Sequence, residues 1–143
     1  MADDPMDVEN AVRTLNDAIE LQFRSAIEFA FLAATVSGPQ WHGLATTFGT
    51  YAAVELADAQ RLVEKVAALG GRPPTAVRGF ASHDDPEQAV RSLIEHEEET
   101  LTALHAVIPF SGQEPRSEAL EHLMEHLLLR KQGQVDALRR LVS

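Results

Sequence analysis

The chain has 143 residues, of which 45% are hydrophobic and 24% are charged, a composition typical of a folded domain rather than a disordered segment. Its 12 Lys and Arg against 22 Asp and Glu give a formal net charge of −10, which argues against nucleic-acid and anionic-lipid partners. The absence of cysteine excludes disulfides, thiol catalysis and thiolate metal sites. No apolar run is long enough to span a membrane, and the acidic N-terminus does not resemble a signal peptide. We therefore expect one soluble, cytoplasmic domain over residues 1–143.

Proline and glycine divide the chain into four long segments, and the first two predict helices α1 and α2. Helix α1 is expected over about 5–37, with Asp4-Pro5 as a capping residue followed by a favoured first-turn proline. Helix α2 is expected over about 40–69, ending at Gly70. Gly49 weakens the first turns of α2, so its start is the least certain boundary.

A linker rich in proline and glycine separates these helices from two more. It covers roughly residues 72–84 and shows no clear periodicity. Helix α3 is expected over about 86–108, with Asp85 as its capping residue. Helix α4 is expected over about 116–142. The longest segments show no strand-like alternation.

Each segment carries apolar residues at steps of three and four, as core-facing helices do. Short connections make α1 antiparallel to α2 and α3 antiparallel to α4, while the linker is long enough to cross the bundle. We therefore predict an all-α, antiparallel four-helix bundle with one long crossover between α2 and α3. Near the middle of each apolar stripe, however, polar residues occupy core positions. This predicted polar layer comprises Gln22, Glu55, Asp58, Glu97, Lys131 and Gln134.

Charges in a bundle core are costly unless they are paired or bind a metal. Three carboxylates and one ammonium would leave two uncompensated negative charges. Protonation, water, pairing of Lys131 or a bound cation could relieve this excess. The alternative interpretation is that each polar residue is an independently hydrogen-bonded core residue or faces the surface.

Three stretches of the sequence resemble the ferritin-like superfamily, in particular bacterioferritins and rubrerythrin-type domains. Leu15-Asn16 is similar to the opening of their first helix, and Glu64–Pro73 looks like the end of their second helix and the start of the crossover. Gln132–Leu138 is similar to the segment around the histidine of their fourth helix. The resemblance covers nearly the whole chain from Leu15 and implies the ferritin-like fold.

The resemblance also implies positions for a di-iron site, which that family builds from one Glu on each of two helices and Glu-x-x-His on the other two. Glu55 on α2 and Glu97 on α3 match family ligands. Asp58 stands where a histidine is expected. These three residues are the candidate metal ligands of this chain.

The other three ligand positions depart from the pattern. Gln22 replaces a Glu on α1, Lys131 replaces a Glu on α4, and Gln134 replaces a His on α4. An ammonium at a metal-bridging position opposes a divalent cation and can occupy its space. We infer that Lys131 substitutes for the metal charge by pairing with one of the three carboxylates. Ferroxidase and oxygenase chemistry is therefore not expected.

Other metal-binding arrangements are weaker. His122 and His126 have a chelating spacing, but helical geometry directs both away from the core. The alternative is an interface metal, or a shifted site with His105 or Glu125. On α1, Glu20 points nearly opposite the core.

Glu28 lies at the edge of the core-facing stripe of α1. It is therefore, like Glu20, a poor replacement for Gln22 as a ligand.

Helices α1 and α2 each carry a second apolar flank, which indicates another partner surface. Ferritin-like proteins commonly dimerise through these two helices, so the resemblance implies an isologous homodimer here. An alternative is a wide buried stripe that results from tilted packing. Bacterioferritins place a haem-ligating Met at this dimer axis, but this chain has Leu56 there, so haem is not implied. The flanks comprise Phe23, Ile27, Ala30, Phe31 and Ala34 on α1 and Leu56, Val63 and Ala67 on α2.

Three functions remain open from the sequence. The first is a non-catalytic ferritin-like protein whose inner site serves packing, small-ligand binding or assembly, with no cofactor. The second is an iron-binding oxidase or storage protein that uses Glu55, Asp58 and Glu97 completed by waters. The third is a subunit that partners an intact ferritin-like chain in a hetero-oligomer.

Overall fold

The computed structural model describes residues 5–143, which fold as four long helices. No strand occurs in that range, so the prediction of an all-α four-helix bundle is confirmed. Short 3-10 turns precede α2 and follow α3. The helices are α1 Val8–Thr35, α2 Ala45–Ala68, α3 Pro86–His105 and α4 Pro115–Val142, and the 3-10 turns are His42–Leu44 and Ile108–Phe110.

Helix α1 is shorter at both ends than the sequence predicts. Its N-cap is Asp7, whose side chain accepts a hydrogen bond from the backbone N–H of Asn10 at 3.2 Å. Pro5 is therefore outside the helix, and the predicted cap Asp4 lies outside the described residues. At the other end Val36 turns to an extended conformation, and Gly38 adopts a φ of 94° that favours glycine.

Helices α2 and α3 also differ from prediction at one end each. Helix α2 begins at Ala45 rather than near 40, because a 3-10 turn leads into it and no side chain caps it. Helix α3 ends at His105 rather than near 108, because the chain tightens into the 3-10 turn that contains Pro109. These shifts leave the middle of each helix unchanged.

Two apolar clusters fill the ends of the bundle and show the direction of each helix. Helix α1 passes from the first cluster at Leu15 to the second at Phe29. Helix α2 runs the opposite way, from Phe48 in the second cluster to Leu62 in the first. Helix α3 also runs from the second cluster to the first, whereas α4 runs from the first to the second. Helices α2 and α3 are therefore parallel, and the chain between them must return along the bundle.

That crossover lies against α1 along most of its length. Near its start, Asn16 Nδ2 donates a hydrogen bond to the carbonyl of Arg72 at 3.1 Å. Near its end, the ring of Phe80 packs edge-on against Phe31 of α1, with centroids 5.7 Å apart. The crossover therefore contacts α1 near both of its ends.

Candidate functional site

The six polar residues predicted for the core are all buried, and they lie between the two apolar clusters. Gln22, Glu55, Glu97 and Lys131 have no exposed surface. Asp58 is 3% exposed and Gln134 is 7% exposed. On each helix the polar position falls between residues of the first and second clusters, so the four helices contribute to one level of the bundle.

Lys131 lies at the centre of this layer, between carboxylates of two other helices. Its Nζ is 2.7 Å from Glu55 Oε2 on α2 and 2.7 Å from Glu97 Oε2 on α3. These are charge-assisted hydrogen bonds, which are shorter and stronger than neutral ones. The ammonium therefore joins three helices through two buried ion pairs.

Helix α1 completes the layer with neutral groups. Gln22 Nε2 donates to the Glu55 carboxylate and, at 3.0 Å, to the Glu55 backbone carbonyl. Ser25 Oγ donates to the second oxygen of Glu97 and accepts a hydrogen bond from Lys131 Nζ at 3.4 Å. A ligating glutamine would present its carbonyl oxygen, whereas Gln22 presents its N–H group to the carboxylate.

Sequence reasoning missed two members of this layer. Arg130 lies off the core stripe of α4, but its long side chain extends towards the layer. Its Nη1 lies 3.0 Å from Glu55 Oε1, and its other terminal nitrogen contacts Asp58. Ser25 was missed because a small hydroxyl residue within an apolar stripe does not stand out. Asp58 is a carboxylate at a core position of α2, and the apolar stripe of that helix contains no cation to pair with it. This was the one available sequence signal that a cation such as Arg130 had to reach Asp58 from elsewhere.

The added arginine changes the charge balance of the layer. Three carboxylates face Lys131 and Arg130, which leaves one uncompensated negative charge rather than two. Arg61, half exposed at the surface, lies 3.7 Å from Asp58 and offsets that charge. The layer is therefore close to neutral without a bound cation.

The pKa of Glu55 reflects this pairing. Burial by itself raises the pKa of Glu55, but the nearby charges of Lys131 and Arg130 outweigh it and hold the pKa below its ordinary value. The same contacts raise the pKa of Arg130 above its ordinary value, although its partial burial acts the other way. Both groups are therefore charged at neutral pH.

The described geometry shows no metal-binding group at these residues. Glu55 and Glu97 are separated by an ammonium group, and Asp58 is directed towards Arg130 and Arg61. Within residues 5–143 no three His, Asp or Glu side chains are grouped so that they could hold a metal ion. A divalent ion between Glu55 and Glu97 would have to displace Lys131 from both carboxylates.

The other candidate ligands lie away from this layer. His122 and His126 are exposed on α4, and His122 Nε2 is 3.6 Å from Glu118. His105 and Glu125 are also exposed, and Glu20 is partly exposed. The outlying histidines therefore share no contact with Lys131 or its partners.

Comparison with known proteins gives consistent results over nearly the whole chain. A family model described as ferritin-like domain matches residues 12–143. A ferritin-like, diiron-carboxylate protein from Bacillus anthracis str. Ames is similar in structure, with a TM-score of 0.89 and 23% identity over 96% of this chain and 98% of that chain. No curated protein sequence matches.

Two further solved structures are similar at lower identity. Bacterioferritin from Rhodobacter capsulatus, determined with a metal-free dinuclear site and haem iron, has a TM-score of 0.80 and 14% identity over 94% of this chain and 84% of that chain. A dodecameric thioferritin from Bacteroides fragilis has a TM-score of 0.83 and 15% identity over 96% and 86% of the two chains. At these identities the likeness shows the fold alone.

Proposed function

The chain belongs to the ferritin-like domain family, and we propose that it is a non-catalytic member with a binding or assembly role. In this proposal a lysine–carboxylate layer takes the place of the di-iron centre. The observation that carries it is the position of Lys131 Nζ, 2.7 Å from both Glu55 and Glu97. A fixed ammonium there supplies the positive charge that metal ions supply to the carboxylates of a di-iron site.

The competing function is an iron-binding oxidase or storage protein with Glu55, Asp58 and Glu97 as ligands. It is favoured by the likeness to a protein described as diiron-carboxylate. It is disfavoured by the contacts of the layer, because all three carboxylates already pair with Lys131, Arg130 or Arg61. The two functions predict different iron contents.

Iron analysis of the protein purified from iron-replete cells distinguishes them. The proposal predicts iron far below one ion per chain, unchanged in Glu97→Ala. Near-stoichiometric iron that is lost in Glu97→Ala would establish the competing function. The comparison uses Glu95→Ala as its control, since Glu95 is exposed on the same helix.

A second experiment tests the positions themselves. The double variant Lys131→Glu with Gln134→His restores a carboxylate and an imidazole to α4, and it should bind Fe(II) where the parent does not. The matched control is Lys65→Glu with Gln132→His, which makes the same chemical changes away from the layer. Failure of the Lys131 variant to gain iron over that control would contradict the proposed match of α4 to the family.

The proposed assembly is a homodimer through α1 and α2. Ile27 and Leu56 are 47% and 46% exposed, so the centre of the apolar flank predicted from the sequence is largely uncovered in the single chain. Phe31, at the edge of the flank, is 41% exposed and packs against Phe80 of the crossover. The Bacteroides fragilis relative is a dodecamer, which supports self-association in general. Association with another ferritin-like chain through the same flank is the alternative assembly.

The proposal includes no nucleic-acid partner and a cytoplasmic location, which the acidic, cysteine-free composition supports. Within residues 5–143, none of the helices has the length and hydrophobicity needed to cross a membrane.

A further inference from the structure

A groove lies outside the Lys131 layer, where the last turns of α1, the end of the crossover and the first turn of α3 meet. It has two adjoining parts, a small one of about 20 Å³ that Glu28 lines, called the inner cavity, and a larger one of about 200 Å³, called the outer groove. The inner volume exceeds the roughly 10–15 Å³ that one water-sized group needs. The two parts share Phe31, Leu32, Thr35, Ser82, His83 and Ala89 as lining residues.

Glu28 lines the inner cavity and is only 4% exposed. His96 Nδ1 lies 2.8 Å from one of its oxygens and 3.1 Å from the other. An ionised carboxylate can accept about four hydrogen bonds, so both oxygens keep lone pairs beyond their contact with the one imidazole nitrogen. Glu28 therefore retains acceptor capacity next to the cavity.

The guanidinium of Arg24, whose charge acts on Glu28, does not pair directly with it. Arg24 Nη2 instead donates to the backbone carbonyl of His96 at 3.2 Å and lies 3.6 Å from Glu99. Burial raises the pKa of Glu28 above its ordinary value, despite the opposing effects of His96 and Arg24. The carboxylate is thus less well compensated than those of the Lys131 layer.

The walls and ends of the groove also favour a cation with an apolar tail. The rings of Phe31 and Phe80 form one wall, and aromatic rings attract cations and pack against alkyl groups. The groove lies at the C-terminal end of α1, whose last turn has no basic residue to offset the helix dipole. At the other end of the groove, the N-terminus of α3 is already capped, because the Asp85 side chain accepts a hydrogen bond from the backbone N–H of Gln88.

We propose that this groove binds a small primary alkylammonium ion. The ammonium group occupies the inner cavity against Glu28, and the alkyl chain extends along Phe31 and Phe80 into the outer groove. His83 and Asp84 lie at the open end, where a second polar group of a longer amine would meet them. The groove shares no lining residue with the Lys131 layer, although the charge of Glu97 also acts on Glu28 and raises its pKa.

Titration of the ¹⁵N-labelled protein with propylammonium chloride tests the proposal. The experiment is run at about pH 8, where free imidazole is neutral. We expect saturable shifts at the amides of Phe80, Ser82 and His83, with an affinity at least about tenfold higher than for 1-propanol, and no binding of propionate. Equal affinity for propylammonium and 1-propanol, or shifts spread over acidic residues across the surface, would overturn the proposal.

Two variants assign the binding to this groove. Glu28→Gln should weaken propylammonium binding about tenfold or more, whereas Glu95→Gln, at an exposed carboxylate, should leave it unchanged. Ser82→Trp fills the groove from the exposed crossover without altering a charge, so it should abolish binding even if the Glu28 variant folds poorly. Its control is Thr75→Trp, elsewhere on the crossover. Unchanged binding in Ser82→Trp would contradict the site.

Discussion

The ammonium of Lys131 is the residue on which the polar layer depends, because it is the shared partner of Glu55 and Glu97. Removing one member of a buried ion pair leaves the others desolvated and unpaired. Lys131→Met should therefore lower the free energy of unfolding by about 3–5 kcal/mol, measured by urea denaturation. Lys65→Met, near the end of α2, should change it by less than about 1 kcal/mol. A similar small change for Lys131→Met would contradict the layer.

A double-mutant cycle measures the pairing itself. Glu97→Gln removes one charge that faces Lys131, so adding it to Lys131→Met should cost less than the sum of the single effects. We expect a coupling energy of about 1–3 kcal/mol between the two substitutions. Additive effects would mean that the two side chains do not interact.

The pKa of Glu55 predicts a pH dependence of stability. Its ordinary value is 4.5, and the folded value lies below it. The stabilisation is therefore complete above about pH 4.5 and is lost as the pH falls through the lowered folded pKa. The difference in unfolding free energy between the native protein and Glu55→Gln should shrink on acidification, measured from neutral pH to about pH 3. A difference that stays constant, or grows, would contradict the pairing. Glu28, whose pKa is also shifted, is present in both proteins, so its contribution cancels from the difference in unfolding free energy.

At this scale, the sequence could identify which residues lie on core stripes. It could not predict where the ends of long side chains lie. Periodicity identifies Lys131 and Glu55 as core positions because their Cα atoms lie on the apolar stripes. Arg130 lies off its stripe, and only its side-chain conformation brings it to Glu55 and Asp58. The predicted charge excess was too large for that reason.

At the scale of the elements, the exit of the chain from α2 is tightly packed. Gly70 has a φ of 81°, and a Cβ on Gly71 would lie 2.7 Å from a methyl carbon of Val12 on α1. Valine is stiff, so Gly71→Ala should lower the unfolding free energy by about 1–3 kcal/mol. Val12→Ala in the same protein should restore part of the loss.

Gly79, farther along the crossover, is the control for that substitution. A Cβ there meets no atom within 4 Å, and its φ is not in the left-handed region. Gly79→Ala should leave the unfolding free energy unchanged or slightly higher, since alanine restricts the unfolded chain. Equal losses for Gly71→Ala and Gly79→Ala would contradict the close approach to α1.

Helix existence could be predicted from the sequence because apolar periodicity persists over many turns. Helix ends depend on a few local interactions instead. The Asp7 cap competes with Asp4-Pro5 as a start for α1, and the 3-10 turns at Gly43 and Pro109 have no distinct periodicity. For this reason α1, α2 and α3 were predicted to be longer than observed, whereas α4 was predicted to within one residue at its start.

At the scale of the whole molecule, the exposed apolar flank of α1 and α2 predicts self-association. Leu56→Glu places a charge in that flank and should shift the protein to a monomer, measured by light scattering over a range of concentrations. Leu129→Glu is the control, because Leu129 is 78% exposed on α4, away from the flank. A native protein that remains monomeric at every concentration would contradict the dimer.

The most direct test of the account is a crystal structure with anomalous scattering recorded at the iron edge, from crystals exposed to Fe(II). The account predicts no iron peak between Glu55 and Glu97, with Lys131 Nζ in contact with both carboxylates. Iron peaks bridging those carboxylates, with the lysine displaced from them, would contradict it.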